Sequence, residues 1–580
     1  MHSHGIHSTR PLLATAAVLV VLVGCMTPEK AVREADETAI ALATAAWKEQ
    51  TGLTNSFNIA RPADVLTLRI ALAALKQGVT NAVFPRIAGV SPLAATTNGQ
   101  LRLTLTDALR LGARNNRRYQ SLKESVYQNA LSLDSQRYVF DNTFSGFILG
   151  TLTGSPEINK DAGETGAGFA RKFENGASIA GNMALDVAKM IREDWHSFGW
   201  TGDLTASLPL LRGSTREIVR EPLTQAERNL AYSILTFERY RQTFALSIVQ
   251  TYYNVLKVAQ NRRNSDDNEK RLKLNFQRAE MMFKAGRMDR IQMDQAKTDL
   301  LSAQQTIIST QKSYEDSLDS FKMTLGFSPE APIELDDSEL RHLQDQMEQR
   351  AAQQPDALSD FPAESIALTT AIDERFDLAV TRGDLMDAER AVTVSADALR
   401  ADLTVDGGVG YDAGKDSRRH NVDDATSTSL KIRLSAPWDR RRERNAYRRA
   451  LISLAQSERA YEEAEDNVKN EVRAGYRELV AARATYANAV ESFKVAQMRA
   501  KSIELFMQSG RSSMRDILES ESSLLNARNS LCSAVVSWHM SDLNLRSKMG
   551  IFNVLLDGSL APHTTTPTLL DLVNQPRTLY

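Results

Sequence analysis

Apolar residues recur along two stretches of the chain at alternating steps of three and four, which predicts two helices with one shared pattern. The first seam runs Met293, Leu300, Ile307, Tyr314, Phe321, interleaved with Ala296, Ala303, Thr310, Ser317 and Thr324. The second runs Ile517, Leu524, Leu531, Trp538, Leu545, interleaved with Ser520, Ala527, Ala534 and Ser541. Large residues hold one seam position and small ones the other, so each helix can lie close to a neighbour. The two series superimpose at a constant offset of 224 residues (517 − 293). Gly286 and Gly510 precede them, and Gly326 and Gly550 follow them, at that same offset. Two seams in step, bracketed by matching glycines, indicate a duplicated unit.

The helix ahead of the second seam is equally regular, with Val468, Val472, Gly475, Leu479, Ala482, Tyr486, Ala489, Phe493, Ala496, Ala500, Ile503 and Met507. A seam of period 3.5 is the coiled-coil signal. No proline falls between Asn445 and Met507, so one helix on the order of 90 Å long is expected at 1.5 Å per residue. The start of each half also recurs. Leu105-Thr106-Asp107-Ala108-Leu109 and Asn116-Arg117-Arg118-Tyr119 correspond to Ala367-Leu368 and Arg375-Phe376-Asp377-Leu378. They open helical stretches predicted over 117–138 and 376–402.

Between the helices the period changes to two. Residues 200–210, 403–411 and 430–436 alternate cleanly, and 139–149 does so less regularly. Trp200, Leu204 and Leu208 share one face, as do Leu403, Val405 and Val409, and Leu430, Ile432 and Leu434. Such alternation marks strands with one apolar face, in a membrane wall or in a soluble sandwich alike. Pro209 and Pro437 close corresponding strands. The first strand pair is separated by residues 150–198, which read as a long surface loop. Each half thus reads helix, strand, strand, long helix, glycine turn, long helix. Beyond the first 24 residues no uncharged apolar run approaches 18 residues, so any membrane-spanning part must be β. Four strands cannot close a barrel, since single-chain barrels begin at about 8. If these strands face lipid, several chains share one barrel.

The 580 residues carry 70 Lys+Arg against 72 Asp+Glu, a formal net charge of −2, which argues against a nucleic-acid partner. Two cysteines, Cys25 and Cys532, exclude a disulfide scaffold and a Cys-based zinc site. Residues 1–24 hold one charged side chain, Arg10, then an apolar run from Pro11 to Val23, which reads as a secretory signal. It ends Leu22-Val23-Gly24-Cys25 and resembles the bacterial lipoprotein signal, in which the cysteine thiol is acylated. Met26 follows where inner-membrane retention uses Asp, which implies transport to the outer membrane. His2, His4 and His7 fall in the removed segment, and His196, His342, His420, His539 and His563 show no pair at metal-ligand spacing. Gly163 to Ala170 has the glycines of a phosphate loop, but Phe169 and Ala170 stand where Lys and Ser/Thr are required. No metal, no cofactor and no enzymatic constellation are expected.

The ordered series resembles the TolC-like outer membrane factors, over roughly residues 100–552. Its best marks are the duplication, Gly510-Arg511-Ser512-Ser513-Met514-Arg515-Asp516-Ile517-Leu518-Glu519 at the second hairpin turn, and Ser207-Leu208-Pro209-Leu210-Leu211-Arg212-Gly213 at a strand end. The resemblance implies a mainly α fold with a small β part. Long coiled-coil hairpins would form an α-barrel, and four strands per chain would enter a homotrimeric, twelve-stranded outer-membrane barrel. It also implies docking to a periplasmic adaptor (a membrane fusion protein) and to an inner-membrane pump or ABC exporter. The family narrows its pore near the turn with acidic residues; Asp516 and Glu519 hold the matching positions, and as first-turn acids they would also stabilise a helix start. Gly286, Arg287, Gly510 and Arg511 would form the adaptor-contact tips. The family's latch residues are not carried over, because Met507 and Gln292 stand where Tyr and Asp are expected; Arg511, Arg287 and Asp289 are the available substitutes.

The predicted organisation is a lipoprotein signal over 1–24, an N-terminal extension over 25–100, a first efflux repeat over 101–330, a linker over 331–363 marked by Pro355 and Pro362, a second repeat over 364–552 and a tail over 553–580. Arg440, Arg441, Arg442 and Arg444 cluster after a strand, at a solvated helix start that could meet lipid headgroups. The expected function is a passive exit duct of a tripartite efflux or type I secretion system, anchored by lipid on Cys25 in the outer membrane of a Gram-negative bacterium. The competing reading is a structural coiled-coil envelope lipoprotein without channel activity.

Overall fold

The computed structural model describes residues 26–51, 101–154, 159–190, 196–353, 361–416, 425–436, 438–508 and 511–555, together with 558 and 560. After α1 (Pro28–Thr51) come β1 (Leu101–Leu103), α2 (Leu105–Asn115), α3 (Arg117–Tyr138), β2 (Thr143–Gly154), β3 (Asn159–Lys172), β4 (Ser178–Met190) and β5 (His196–Pro209). The chain continues through α4 (Arg216–Lys284), α5 (Arg290–Thr324), β6 (Ile333–Leu335), α6 (Ser338–Gln353), α7 (Glu364–Glu374) and α8 (Phe376–Asp397). It then forms β7 (Asp402–Asp416), β8 (Ala425–Ser435), α9 (Arg441–Gln508) and α10 (Met514–Lys548). The long proline-free stretch is one helix of 68 residues, as its seam requires. Helix α3 has the predicted bounds, while α8 stops at Asp397, short of 402, because β7 has begun there.

Two corrections concern the strands. The sheet has six strands in the order β2-β3-β4-β5-β7-β8, not four. The stretch 150–198, expected as a surface loop, supplies the whole of β3 and β4. Small residues hid them: Gly166, Ala167 and Gly168 in β3, and Ala180, Gly181 and Ala184 in β4, put little contrast between the two faces. Pro209 ends β5 as predicted, while Pro437 lies outside the described residues.

The chain divides into two compact units. One comprises Met1–Asn58, Ser125–Ile234 and Thr381–Tyr461 and holds α1 and the six-stranded sheet. Every neighbouring pair in this sheet is antiparallel. The start of α4 is tied to α8: Arg228 Nε lies 2.5 Å from Asp387 Oδ1, and Arg390 Nε lies 3.1 Å from Glu221 Oε2. Gly383 is required there, since a Cβ would meet the Tyr232 ring at 2.4 Å. On α1, Ala39, Ala43 and Trp47 are buried, and Asp36 accepts a hydrogen bond from the Tyr127 hydroxyl.

The other unit comprises Ile59–Glu124, Leu235–Val380 and Glu462–Tyr580. It shows the duplication most plainly. Helices α5 and α10 each have 35 residues and are offset by 224 at both ends (514 − 290; 548 − 324). Both close in the same way, with a hydrogen bond from Phe327 N–H to Lys322 O (2.8 Å) and from Ile551 N–H to Arg546 O (3.1 Å). Gly326 and Gly550 each sit at φ 79°, the left-handed region that this helix ending needs. Each glycine also packs against the break between the two short helices of its own half. A Cβ on Gly326 would meet Asn115 O at 2.3 Å, and one on Gly550 would meet Glu374 C at 3.0 Å. In the segment joining the halves, β6 pairs in parallel with β1, and α6 buries Leu340, Leu343 and Met347, while Pro355 lies outside the described residues. Arg350 of α6 reaches Asp542 Oδ1 on α10 at 2.8 Å, and Arg546 holds the other oxygen at 3.1 Å.

The glycines separate strain from crowding. Around Gly286, at φ 69°, nothing lies within 4 Å of a built Cβ, so Gly286→Ala should cost only the left-handed penalty, about 1 kcal/mol. Gly326→Ala adds a backbone clash and should cost on the order of 3 kcal/mol. Thermal unfolding of the detergent-solubilised protein should therefore show a clearly larger Tm loss for Gly326→Ala; equal losses would contradict the Asn115 contact.

Candidate functional site

The sheet sorts its side chains by polarity. Because paired residues share a face, the registers place Phe144 with Phe169, Ala167 with Met183, and Leu185 with Trp200. They continue with Leu204 against Val409 and Val405 against Ile432. This face is apolar across all six strands and open: Phe144 is 79% exposed, Leu430 74% and Ile432 71%. The Trp200 and Tyr411 rings meet on it at a tilt of 45°, with centroids 4.7 Å apart, while Phe144 and Phe169 stand level with Leu204. From Trp200 to Leu208 the strand advances roughly 26 Å at 3.3 Å per residue, close to the height of a bilayer's apolar band. Trp438, just beyond β8, is fully exposed.

The opposite face carries Asn182, Asp203, Ser207, Asp406, Ser429 and Arg433, with Phe147 and Leu149 of β2 as exposed apolar exceptions. Its polar groups bond to one another: the Ser207 hydroxyl donates to Asp406 at 2.6 Å, and Asn182 donates to Asp203 at 3.3 Å. The first face suits acyl chains and the second suits water. The sheet is open, with β2 and β8 at its edges. No described helix is long and apolar enough to cross a membrane.

The predicted tip residues belong to the other unit. Helix α4 ends in a Schellman turn, with Arg287 N–H bonded to Met282 O (2.9 Å), Gly286 N–H bonded to Phe283 O (2.9 Å), and Gly286 left-handed. At the second turn, Arg511 N–H bonds to Phe506 O at 2.9 Å, the counterpart of the Arg287 bond at the offset of 224. Arg287 and Arg511 are both exposed. Gly510 and Cys25 lie outside the described residues. The two tips share a core in which Met514 and Leu518 pack with Leu272, Ala279, Ala296 and Ala303. Of the small seam residues predicted for close approach on α5, Ala296 and Ala303 are buried, as is the large seam residue Phe321.

Asp516 closes a capping box at the start of α10. Ser513 Oγ accepts from the Asp516 N–H (3.3 Å), and Asp516 Oδ2 accepts from the Ser513 N–H (2.9 Å). The hydroxyls of Ser513 (2.7 Å) and Ser512 (3.2 Å) donate to the same oxygen. These hydrogen bonds, led by Ser513, hold the carboxyl below its usual range. Glu519, one turn on, pairs with Arg499 of α9 at 3.0 Å. Sequence reasoning missed both partners. Ser513 stands three residues before Asp516, which is the capping-box spacing; Arg499 lies across the hairpin and carries no local signal.

Comparison with known proteins settles the family. The profile of the outer membrane efflux proteins matches residues 192–327 and 367–550. The chain belongs to the outer membrane efflux protein family. As a member, it is an outer membrane component of an efflux system. The first matched segment starts at 192, downstream of β3 and β4. Among solved structures, the chain is similar to the CmeC outer membrane channel of Campylobacter jejuni, with 15% identity, TM-score 0.55, and coverage of 81% of this chain and 88% of that one. It is similar to the outer membrane protein VceC of Vibrio cholerae, with 14% identity, TM-score 0.56, and coverage of 77% and 96%. It is also similar to the MtrE outer membrane channel of Neisseria gonorrhoeae, with 13% identity, TM-score 0.53, and coverage of 77% and 89%. These likenesses show the fold. No curated protein matches the efflux-family chain in sequence.

The cap has a pH signature. Asp516 is more acidic folded than unfolded, so its stabilisation is complete above the ordinary carboxylate pKa and is lost as pH falls through the lowered value. Amide exchange at the first turn of α10 should stay slow at pH 4 in the wild type and speed up in Asp516→Ala. Equal exchange in both at pH 4 would remove the cap's contribution.

Proposed function

We propose that the protein is the passive exit duct of a tripartite efflux or type I secretion assembly. Three copies close one lipid-facing barrel, and acylated Cys25 anchors each copy in the outer membrane. The observation that carries this is the continuous, exposed apolar face on a sheet with two open edges, in a chain of the efflux family. In lipid, such edges must be paired. A neighbouring copy supplies the partner strand, β8 of one chain against β2 of the next. The helices support the same assembly: Ile291, Leu301 and Ile308 on α5, and Val480, Val495, Met498 and Leu505 on α9, are exposed large apolar residues that a second copy would cover. A structural tether has no use for a two-faced sheet.

At the tips, Arg287 and Arg511 present two like-charged turns, built alike, to a periplasmic adaptor, which couples the duct to a pump or ABC exporter in the inner membrane. No cofactor and no chemistry are assigned. Asp516 and Glu519 line the constriction. Threefold repetition gathers their carboxylates around the axis and favours cations there. The raised acidity of Asp516, held by the Ser513 hydrogen bonds, keeps its charge in mild acid.

Purified protein in planar bilayers tests both levels. It should conduct; an inert protein would return the tether. Asp516→Asn combined with Glu519→Gln should move the reversal potential in a salt gradient toward zero. A conducting double variant with unchanged selectivity would remove the acidic ring and leave the duct.

A further inference from the structure

The two halves differ by one insertion. Helices α2 and α3 map onto α7 and α8 at an offset of 259 (364 − 105; 376 − 117), but α5 maps onto α10 at 224 (514 − 290). The first half therefore holds 35 extra residues (259 − 224) between α3 and α5. Helices α4 and α9, with 69 and 68 residues, absorb almost none of that difference. The surplus is the β3–β4 hairpin, of 14 and 13 residues plus turns, which has no counterpart between β7 and β8.

An inserted hairpin can project into water, fold across the polar face, or take a place in the wall. The register selects the third. Strand β2 pairs with β3 from Thr143↔Ala170 to Gly154↔Asn159, and β4 pairs with β5 from Ser178↔Ser207 to Lys189↔His196. The inserted strands thus run the full height of their neighbours, with β3 exceeding its pairing with β2 by only Arg171 and Lys172. Their connecting turn is fastened. Glu174 is ion-paired with Arg216 and, at 3.7 Å, with Arg220 on α4. Gly176, at φ 82°, lies so close to the β5–α4 connection that a Cβ would meet Gly213 O at 2.7 Å and Pro209 Cγ at 2.8 Å. The polarity is also continuous. Phe169, Met183 and Leu185 carry the apolar face from Ile148 across to Leu204, and all five are exposed.

We infer that β3–β4 is part of the lipid-facing wall, contacting acyl chains through Phe169, Met183 and Leu185, so that each chain gives the barrel six strands. This rests on the shared-barrel reading above. Three copies then close 18 strands (3 × 6), where the plan of the second half used twice would close 12 (3 × 4). At about 4.8 Å between strands and a tilt of about 40°, the backbone diameter rises from roughly 24 Å to roughly 36 Å. Barrels of that size enclose an aqueous channel. The outer exit therefore admits bulky cargo, and selection by size falls to narrower parts of the duct.

The test uses the full chain in liposomes, with single cysteines Met183→Cys on the apolar face, Asn182→Cys on the polar face, and Leu204→Cys as the β5 reference. The native Cys532 is 2% exposed and should stay silent. A membrane-impermeant maleimide should label Asn182→Cys at least tenfold faster than Met183→Cys, and nitroxides on lipid acyl chains should quench bimane at 183 as strongly as at 204. Equal labelling at 182 and 183, with no quenching at 183, would place the hairpin in water and overturn the inference. Should the substitutions disturb folding, strand counting by electron cryomicroscopy of the unmodified protein in nanodiscs decides: six wall strands per chain support the inference, and four overturn it. A copy number other than three, with six wall strands per chain, would remove the trimer and uphold the hairpin's place.

Discussion

Inside a bilayer no water is available to a peptide group, so every N–H and C=O must find a partner within protein. The six-stranded sheet meets this demand everywhere except along β2 and β8. Its outward polarity suits it to lipid while its edges forbid it from residing there alone. The proposed sharing of one barrel among copies resolves that conflict. The same demand explains why the strands are long, fully paired and antiparallel.

The helical unit answers a different constraint, the close approach of long helices over many turns. Alanine and serine at every second seam position allow it, as the buried Ala296, Ala303, Ser520 and Ala527 show. Glycine then permits abrupt endings. Gly326 and Gly550 adopt one backbone geometry, 224 residues apart, and each fits against the junction of two short helices. The duplication therefore preserves a way of ending helices as well as a way of packing them.

Much of this was legible in the sequence because large apolar residues there alternate against small or charged ones. Strands β5, β7 and β8 announce themselves through Leu204, Val409 and Ile432 set against Asp203, Asp406 and Arg433. Strands β3 and β4 do not, since glycine and alanine occupy both of their faces and the pairing with β2 and β5, not local contrast, makes them strands. At the tip, the acids were visible as helix-start residues. Ser513 was recoverable from its spacing, whereas the Arg499–Glu519 pair depends on how the hairpin brings two distant turns together.

The open edges have a consequence for the life of the chain before assembly. A lone copy carries two unsatisfied strand margins and a broad greasy surface, which are the features that drive misassociation of newly exported polypeptides. In the proposed shared barrel, encounter between copies must therefore outpace aggregation and proteolysis. If several chains have to meet, as that proposal requires, the yield of finished ducts rises more steeply than synthesis, so a modest change in expression becomes a large change in export capacity.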